Sequence, residues 1–508
     1  MAKHSSGPKT PRKTSKKPAR PPTSRRAGPV PKVRVRMFRQ GLGDCFLITF
    51  DADGNERHML IDCGTLGNKT TDVKIADVAD HVLETIDNGK LAVVIATHEH
   101  QDHLSGFNGP MQQLKGKVEQ AWLAWTENPQ DPLAQKLAKN KRDLGEALAL
   151  VAETATAMGS DVGPQVNDLL AFAGDMSLGA AKFAETVNEA MEFVRRGIGA
   201  QTSYYKPGDL IEDPLLPGFR FYVLGPPRDE NALKDLGAHG SSELYGLSAS
   251  LRSAALLHAG AAGMNSTDED DSQLPFDPRF CEQVEAVKQS WYPAYLDKAE
   301  AWRTIDQEWV SFASDLALQL DSMSNNTSLA LAIERCADGK VLLFPADAQQ
   351  GNWLSWHTPE LQWTVPSASG GASTVTVTDL LARTVFYKVG HHSSHNATAR
   401  GKGLELMQNE NELAAFIPVD RAVALTRNPK DSWQMPARPL YRRLLEKCQG
   451  RVVRSDIGWI VKATGPAAKT TEKEFAGLAS DAEWQQWANG QTAATHVRVN
   501  ELFVEYIV

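Results

Sequence analysis

The chain has 508 residues, of which 42% are hydrophobic and 23% charged, enough for one large domain or two ordinary ones. It has no apolar run of roughly 18–20 residues and no apolar N-terminal segment, so we expect a cytoplasmic protein without a membrane span or secretory signal. The first 43 residues contain 13 Lys and Arg and no Asp or Glu, so the remainder carries a net charge of −21, which argues against tight polyanion binding by the body alone. The five scattered cysteines predict reduced thiols.

The N-terminal tail, residues 1–31, consists largely of Pro, Lys, Arg, Ser and Thr and is predicted to be disordered. Two interpretations of this tail stay open. It is either a solubilising extension or a sequence-independent nucleic-acid arm, in which Lys16, Lys17, Arg25 and Arg26 contact phosphates.

The predicted elements after the tail begin with two strands within residues 33–50, on either side of Gly41-Leu42-Gly43-Asp44. A short apolar strand then leads into Asp62-Cys63-Gly64. Residues 71–88 have apolar positions at helical spacing, and the apolar run Leu91–Ala96 indicates a buried strand. The chain therefore opens with strands followed by a strand, helix, strand unit.

Four potential metal ligands directly follow this buried strand, in the run His98-Glu99-His100-Gln101-Asp102-His103. In an extended loop successive side chains alternate, so His98, His100 and Asp102 point to one side and His103 opens the next element. Nitrogen and carboxylate ligands suit zinc, manganese or iron rather than calcium. The spacing can serve two adjacent ions, one held by His98 and His100 and the other by Asp102 and His103.

This run resembles the signature of the metallo-β-lactamase superfamily of hydrolases, which implies an αββα sandwich with the metals at one end of the packed sheets. The order of strand, Gly-x-Gly-Asp, strand and Ile-Asp-x-Gly is similar to the hydrolase domain of ComEC-type bacterial competence DNA-uptake proteins. Their usual version is Gly-Gln-Gly-Asp, whereas Leu42 stands here. In that comparison Asp62 lies just outside the metals, where it accepts a hydrogen bond from a ligand histidine or steadies the loop. Its alternative role is to cap a turn.

Two stretches exceed what a minimal sandwich needs, and both are predicted to be largely helical insertions: residues 131–200 and residues 228–324. Trp125 and Glu127, at the end of the strand before the first insertion, are candidate substrate-side residues, with core or loop roles as the alternative. The second insertion contains tryptophans that pack its own core, a lid or an oligomer interface, and the helical insertions are the candidate surface for a protein partner. They are Trp291, Trp302 and Trp309.

Further candidate ligands follow two later predicted strands. Asp347 comes directly after the first of them, and the resemblance implies that it bridges both metals, although the usual context is Thr-Gly-Asp. His391, His392 and Ser394 follow the second, in a segment similar to the His-His-Gly-Ser of the competence-type hydrolases. One of the two histidines is expected to ligate the second metal. The other histidine and Ser394 are expected to contact the leaving group or a phosphate oxygen, and the sequence leaves open which histidine does which.

The first metal has the less complete predicted ligand set. Many superfamily enzymes place a further histidine on it, between the first motif and the bridging aspartate. Here that interval contains only His239 and His258, both inside the second insertion. The first ion is therefore expected to be under-coordinated, weakly held or absent in some states.

Together these patterns predict an α/β protein: one αββα metallo-β-lactamase domain over residues 32–508, with two helical insertions and a disordered basic tail. The resemblance implies a hydrolase that uses a metal-bound hydroxide and two divalent ions, Zn²⁺ or Mn²⁺, with Asp102, His392 and Ser394 as catalytic candidates. The expected substrate is a phosphodiester, either a nucleic acid or a nucleotide. The alternatives are hydrolysis of a small ester, lactone or amide, and a partner-binding regulatory protein with a vestigial site.

Overall fold

The computed structural model of the protein describes nine segments of the chain. They are residues 30–52, 54–87, 89–157, 181–234, 323–366, 371–426, 433–459, 477–492 and 496–508. The predictions for the basic tail up to residue 29 and for most of the second insertion lie outside these segments. The residues concerned include His239, His258, Trp291, Trp302 and Trp309.

Strands numbered β1 to β18 in chain order form two large sheets and one hairpin in the described residues. The first sheet contains β1 Lys32–Phe38, β2 Cys45–Ala52, β3 Asn55–Cys63, β4 Leu91–Ala96, β5 Val118–Ala124, β6 Gly199–Tyr205, β17 Val497–Val499 and β18 Phe503–Ile507. The second sheet contains β7 Leu210–Ile211, β8 Phe219–Gly225, β9 Ala330–Arg335, β10 Lys340–Phe344, β13 Thr384–Lys388, β14 Ala414–Ile417, β15 Val452–Arg454 and β16 Gly458–Trp459. The hairpin consists of β11 Gln362–Pro366 and β12 Ala372–Thr376.

Each large sheet changes from antiparallel to parallel pairing near its middle. The order of the first sheet is β17-β18-β1-β2-β3-β4-β5-β6, and the pairs from β3 to β6 are parallel. The order of the second is β16-β15-β14-β13-β10-β9-β8-β7, and the pairs from β10 through β13 and β14 to β15 are parallel. The carboxyl ends of β3 and β4, and those of β10 and β13, therefore lie at the same edge of their sheet.

The helices in the described residues are connections between strands or coverings of the sheets. They are α1 Ile75–Ile86, α2 Gln101–Leu104, α3 Pro132–Ala157, α4 Ala181–Glu192, α5 Glu230–Lys234, α6 Gln350–Ser355, α7 Val377–Ala382, α8 Arg421–Ala424, α9 Arg438–Lys447 and α10 Asp481–Thr492. The described part of the first predicted insertion is accordingly helical, in α3 and α4. None of the helices in these segments combines the length and apolar character needed to cross a bilayer.

The apolar residues of the two sheets divide into one shared core and two outer cores. Strand β4 is buried on both faces, because Val93 and Ile95 belong to the core shared with Phe344 and Phe386 of the second sheet. Its Val94 packs on the opposite side, in the core that includes α1. The outer face of the second sheet packs against α6, α7, α9 and α10. Burying such side chains contributes about 1.5–3 kcal/mol each, and it fixes both sheets firmly enough to position the loops at their ends.

The observed elements confirm the predicted α/β class, and β4 has the predicted bounds. The C-terminal segment forms the antiparallel pair β17 and β18, because Asn500 accepts hydrogen bonds from Leu502 and Phe503 and turns the chain between the two strands. The four cysteines in the described segments are free thiols: Cys45, Cys63, Cys336 and Cys448.

Gly64 is the point of closest approach between the loop after β3 and the loop after β4. A Cβ atom at Gly64 would lie 2.3 Å from the carbonyl carbon of Asp102 and 2.5 Å from the amide nitrogen of His103. Both neighbours are backbone atoms, so a side chain at this position is accommodated only if one loop moves.

We therefore expect Gly64→Ala to lower the free energy of unfolding by about 2 kcal/mol or more, measured by urea denaturation. Gly401→Ala is the matched control, because a Cβ atom there meets no atom within 4 Å. Equal effects of the two substitutions would contradict the close packing of the two loops.

Candidate metal centre

The loops at the carboxyl ends of four strands bring the predicted site residues together. The ends of β3, β4, β10 and β13 supply, respectively, Asp62, the run His98 to His103, Asp347 and the pair His391 and His392. The two sheets are joined here by a hydrogen bond of 3.0 Å from the Leu329 amide to the Thr97 carbonyl. The site is thus built from both sheets at one end of their shared core.

Four of these side chains converge on one point. The potential ligand atoms of Asp102, His103, Asp347 and His392 all lie within 4.8 Å of one another. Nε2 of His392 is 2.7 Å from Oδ2 of Asp102, and Nε2 of His103 is 3.1 Å from Oδ2 of Asp347. All four side chains are fully buried. This group of four residues, called the metal group below, could hold a metal ion.

Neighbouring residues orient both histidines of the metal group. The backbone and hydroxyl of Thr97 donate to the two carboxylate oxygens of Asp62, at 2.8 and 2.7 Å. Asp62 in turn accepts a hydrogen bond of 2.7 Å from Nδ1 of His103. Nδ1 of His392 donates to the Pro418 carbonyl at 2.6 Å. These contacts leave the Nε2 atoms of both rings directed at the carboxylates, as ligand histidines require.

The unsatisfied carboxylate oxygens fit a cation. Oδ1 of Asp102 and Oδ1 of Asp44 are buried and accept no hydrogen bond in the described part of the protein. A buried carboxylate oxygen without a donor is costly, so such atoms call for a positive charge or a bound water. Two imidazoles and two carboxylates form a donor set that suits a divalent transition ion.

Electrostatics in the metal group favour charged carboxylates. Burial alone would raise the pKa of Asp102, but His103 and His392 lower it to about 2. Burial likewise opposes ionisation of Asp347, yet Lys388 and His103 lower its pKa well below the usual value. The pKa of His103 is raised despite burial, because of carboxylates led by Asp347. Protons on the histidines thus provide the positive charge that a bound ion would otherwise supply.

The sequence interpretation missed two members of this site, Lys388 and Asp44. Lys388 is 1% exposed at the end of β13, and its ammonium lies 2.5 Å from Oδ2 of Asp44 and 3.0 Å from Oδ1 of Asp347. It also donates to the Ala346 carbonyl at 2.9 Å. The available signal was a lysine between Tyr387 and Val389 at the end of a buried strand, since a charge in such a place needs a partner. Asp44 was visible in the Gly-x-Gly-Asp pattern.

The remaining predicted ligands lie beside the metal group. Nε2 of His98 is 3.0 Å from Nδ1 of His100, and burial lowers the pKa of His100 to about 3. In the described segments this pair belongs to no set of three mutually close ligand atoms. Nδ1 of His391 is 2.9 Å from the Ser394 hydroxyl, and burial lowers the pKa of His391 to about 4. Of the two adjacent histidines, His392 is therefore the one that lies in the metal group.

The turn after β13 has a left-handed backbone. His391, His392 and Ser393 have φ values of 40°, 52° and 65°. This conformation costs roughly 1–3 kcal/mol for a residue other than glycine. The Ser393 hydroxyl is also fully buried and has no hydrogen-bond partner in the described residues.

The outer side of the metal loop carries a second group of charges. Glu99 accepts a hydrogen bond of 3.3 Å from Lys141 in α3, and Glu127 accepts one of 2.8 Å from Arg195. Burial raises the pKa of Glu127 to about 8, with a further contribution from Glu99. Trp125, the other predicted substrate-side residue, is buried and donates to the Pro226 carbonyl.

Comparison of the chain with protein-family models gives no match, and comparison with curated proteins gives none either.

We expect Ser393→Gly to raise the free energy of unfolding by about 1 kcal/mol, because it removes an unpaired hydroxyl and relieves a left-handed residue. Ser394→Gly is the matched control. Ser394 has a φ of −63° and donates to Asn396 at 2.7 Å, so its loss should destabilise the fold by about 1 kcal/mol. Urea denaturation of both variants checks this. A destabilising effect of Ser393→Gly equal to that of Ser394→Gly would refute it.

The raised pKa of Glu127 also has a consequence for stability. Its usual value is 4.5, so from about pH 4.5 to about pH 8 the unfolded state loses this proton while the folded state keeps it, and stability falls as pH rises. Glu127→Gln removes this dependence. The free energy of unfolding of the variant relative to the wild type should therefore increase between pH 5 and pH 8, measured by urea denaturation. Parallel pH profiles would show that Glu127 is ionised in the folded protein.

Proposed function

We propose that the protein is a metal-dependent hydrolase of the metallo-β-lactamase type, acting on phosphodiester bonds. The observation that carries this proposal is the convergence of Asp102, His103, Asp347 and His392, which come from distant parts of the sequence, within 4.8 Å. Four buried polar side chains rarely converge for stability alone, because their desolvation is unfavourable. A catalytic or metal-binding role accounts for their arrangement.

The layers of the fold support the same proposal. The two large sheets share one core, and helices cover their outer faces. These layers, with the candidate site at one end of the sheets, support the proposed αββα sandwich. The motifs that carry the resemblance occur in the expected order along the chain, and each of them lies at the end of a strand.

The residues of the site divide into those that hold an ion and those that hold the ligands. Asp102, His103, Asp347 and His392 would ligate a divalent ion, Zn²⁺ or Mn²⁺. When bound, such an ion acts as a Lewis acid on phosphoryl oxygens and makes a water nucleophilic near neutral pH. Asp62 fixes the ring of His103.

Hydrogen bonds hold one carboxylate oxygen of Asp347 and leave the other for an ion. Its Oδ1 accepts hydrogen bonds from the His391 amide at 2.8 Å and from Lys388 at 3.0 Å, which leaves Oδ2 for an ion. His98 and His100 would provide two ligands for the first ion of the proposed pair. Their low pKa values keep both rings neutral, as ligation requires.

His391 and Ser394 are the proposed contacts for the leaving group. Each is 6% exposed, whereas the members of the metal group are 0% exposed. The imidazole of His391 and the hydroxyl of Ser394 already lie 2.9 Å apart, so together they can carry a proton between a leaving oxygen and solvent.

The test combines elemental analysis of the purified protein with turnover of bis-p-nitrophenyl phosphate, with and without added Mn²⁺ or Zn²⁺. We expect bound metal and metal-dependent turnover. Asp102→Asn and Asp347→Asn should each lower metal affinity and turnover at least by the roughly 10–100-fold known for lost orienting partners of metal ligands.

Asp80→Asn is the matched control, because Asp80 is an exposed residue of α1 and belongs to none of the site loops. It should change neither metal content nor turnover. A folded wild-type protein without bound metal and without turnover under any of these conditions would refute the hydrolase and favour a partner-binding protein with a vestigial site.

A further inference from the structure

A cavity of about 470 Å³ lies beside the metal loop, against the first helical insertion. Small-molecule sites have volumes of about 300–1,000 Å³, so it is large enough for a ligand of nucleotide size. Its wall includes Glu99, the residue between His98 and His100. A ligand in this cavity would therefore contact the same short loop that supplies the first two candidate metal ligands.

The cavity wall presents cations. Lys141, Arg142 and Arg195 all line it, together with the acidic residues Glu99, Glu127 and Glu192. Lys141 is engaged by Glu99, and Arg195 by Glu192. Arg142 is exposed and forms no ion pair within the described segments, so it is the cation whose charge is least compensated.

Two buried polar atoms on this wall lack partners. The hydroxyl of Ser324 has no hydrogen-bond partner in the part of the chain that the structure describes, and Ser324 is only 4% exposed. The same is true of Nε of Arg195, whose side chain is 14% exposed. Buried donors of this kind are usually satisfied by a ligand or an ordered water. Together they mark the cavity as a polar binding site.

The charge of the chain indicates that the ligand of this cavity is small. The chain beyond residue 43 has a net charge of −21, which repels a long polyanion. A single anionic group is repelled far less, and it can pair with Arg142 on the cavity wall.

We propose that this cavity binds the phosphate-bearing part of a small phosphate ester, with Arg142 and Ser324 as specificity-determining contacts. The inference rests on the proposed hydrolase function and gives it a substrate class: small phosphate esters of nucleotide size rather than polymeric nucleic acid.

The experiment is isothermal titration calorimetry on the purified full-length protein. The probes are adenosine 5′-monophosphate, cytidine 5′-monophosphate, inorganic phosphate, adenosine as a probe without phosphate, and a single-stranded 20-mer DNA. We expect a monophosphate to bind more tightly than adenosine and than the 20-mer. Arg142→Gln should raise its Kd about tenfold, and Ser324→Ala about threefold, for one lost hydrogen bond each.

Lys139→Gln is the matched control, since Lys139 is also a cation of α3, is 67% exposed and does not line the cavity. It should leave the Kd unchanged. Three results would overturn the inference: no binding of any phosphate probe, equal weakening by Arg142→Gln and Lys139→Gln, or tighter Arg142-dependent binding of the 20-mer.

The outcome separates the two proposals. If a protein without bound metal binds a phosphate probe in an Arg142-dependent way, the cavity proposal is supported and the hydrolase proposal is refuted. If turnover depends on metal but no binding depends on Arg142, the hydrolase proposal is supported and the cavity proposal is refuted.

Discussion

Four carboxylates buried at one point are the constraint on which the rest of this structure depends. Asp44, Asp62, Asp102 and Asp347 are at most 2% exposed and lie at the ends of strands from both sheets. Removing such charges from water costs several kcal/mol each unless cations and hydrogen bonds compensate. Lys388 compensates two of them directly. The two sheets can therefore share a core only if cations and hydrogen bonds from one sheet compensate the carboxylates of the other at this end.

The backbone at this end is strained in the same places. Of the seven non-glycine residues with positive φ in the described segments, five lie in the site loops: Asp62, Ala346, His391, His392 and Ser393. Such conformations persist only where surrounding structure over-determines them. Here the parallel strands on either side, buried on both faces, supply that rigidity. Backbone strain of this kind is concentrated in functional loops. Here it accompanies the inward direction of the candidate ligand side chains.

Local sequence predicted the parts of the site that local geometry determines. His98, His100, Asp102 and His103 directly follow one strand, so the sequence predicted their place at its carboxyl end. The predicted alternation does not extend to Asp102, because Asp102 and His103 lie in α2. Asp347 was predicted from its position after a strand and from the order of motifs. The choice between His391 and His392 could not be predicted, because it depends on three consecutive left-handed residues where serine replaces the usual glycine. Lys388 was missed because its partners, Asp44 and Asp347, are distant in sequence.

The same alternation that directs His98 and His100 inward directs Glu99 outward, and this links the metal centre to the cavity beside it. Glu99 is held by Lys141, whose helix belongs to the first insertion rather than to the sheets. Glu99 is the chain neighbour of both His98 and His100. Through Lys141, the first insertion therefore contacts the short loop that carries these two candidate ligands.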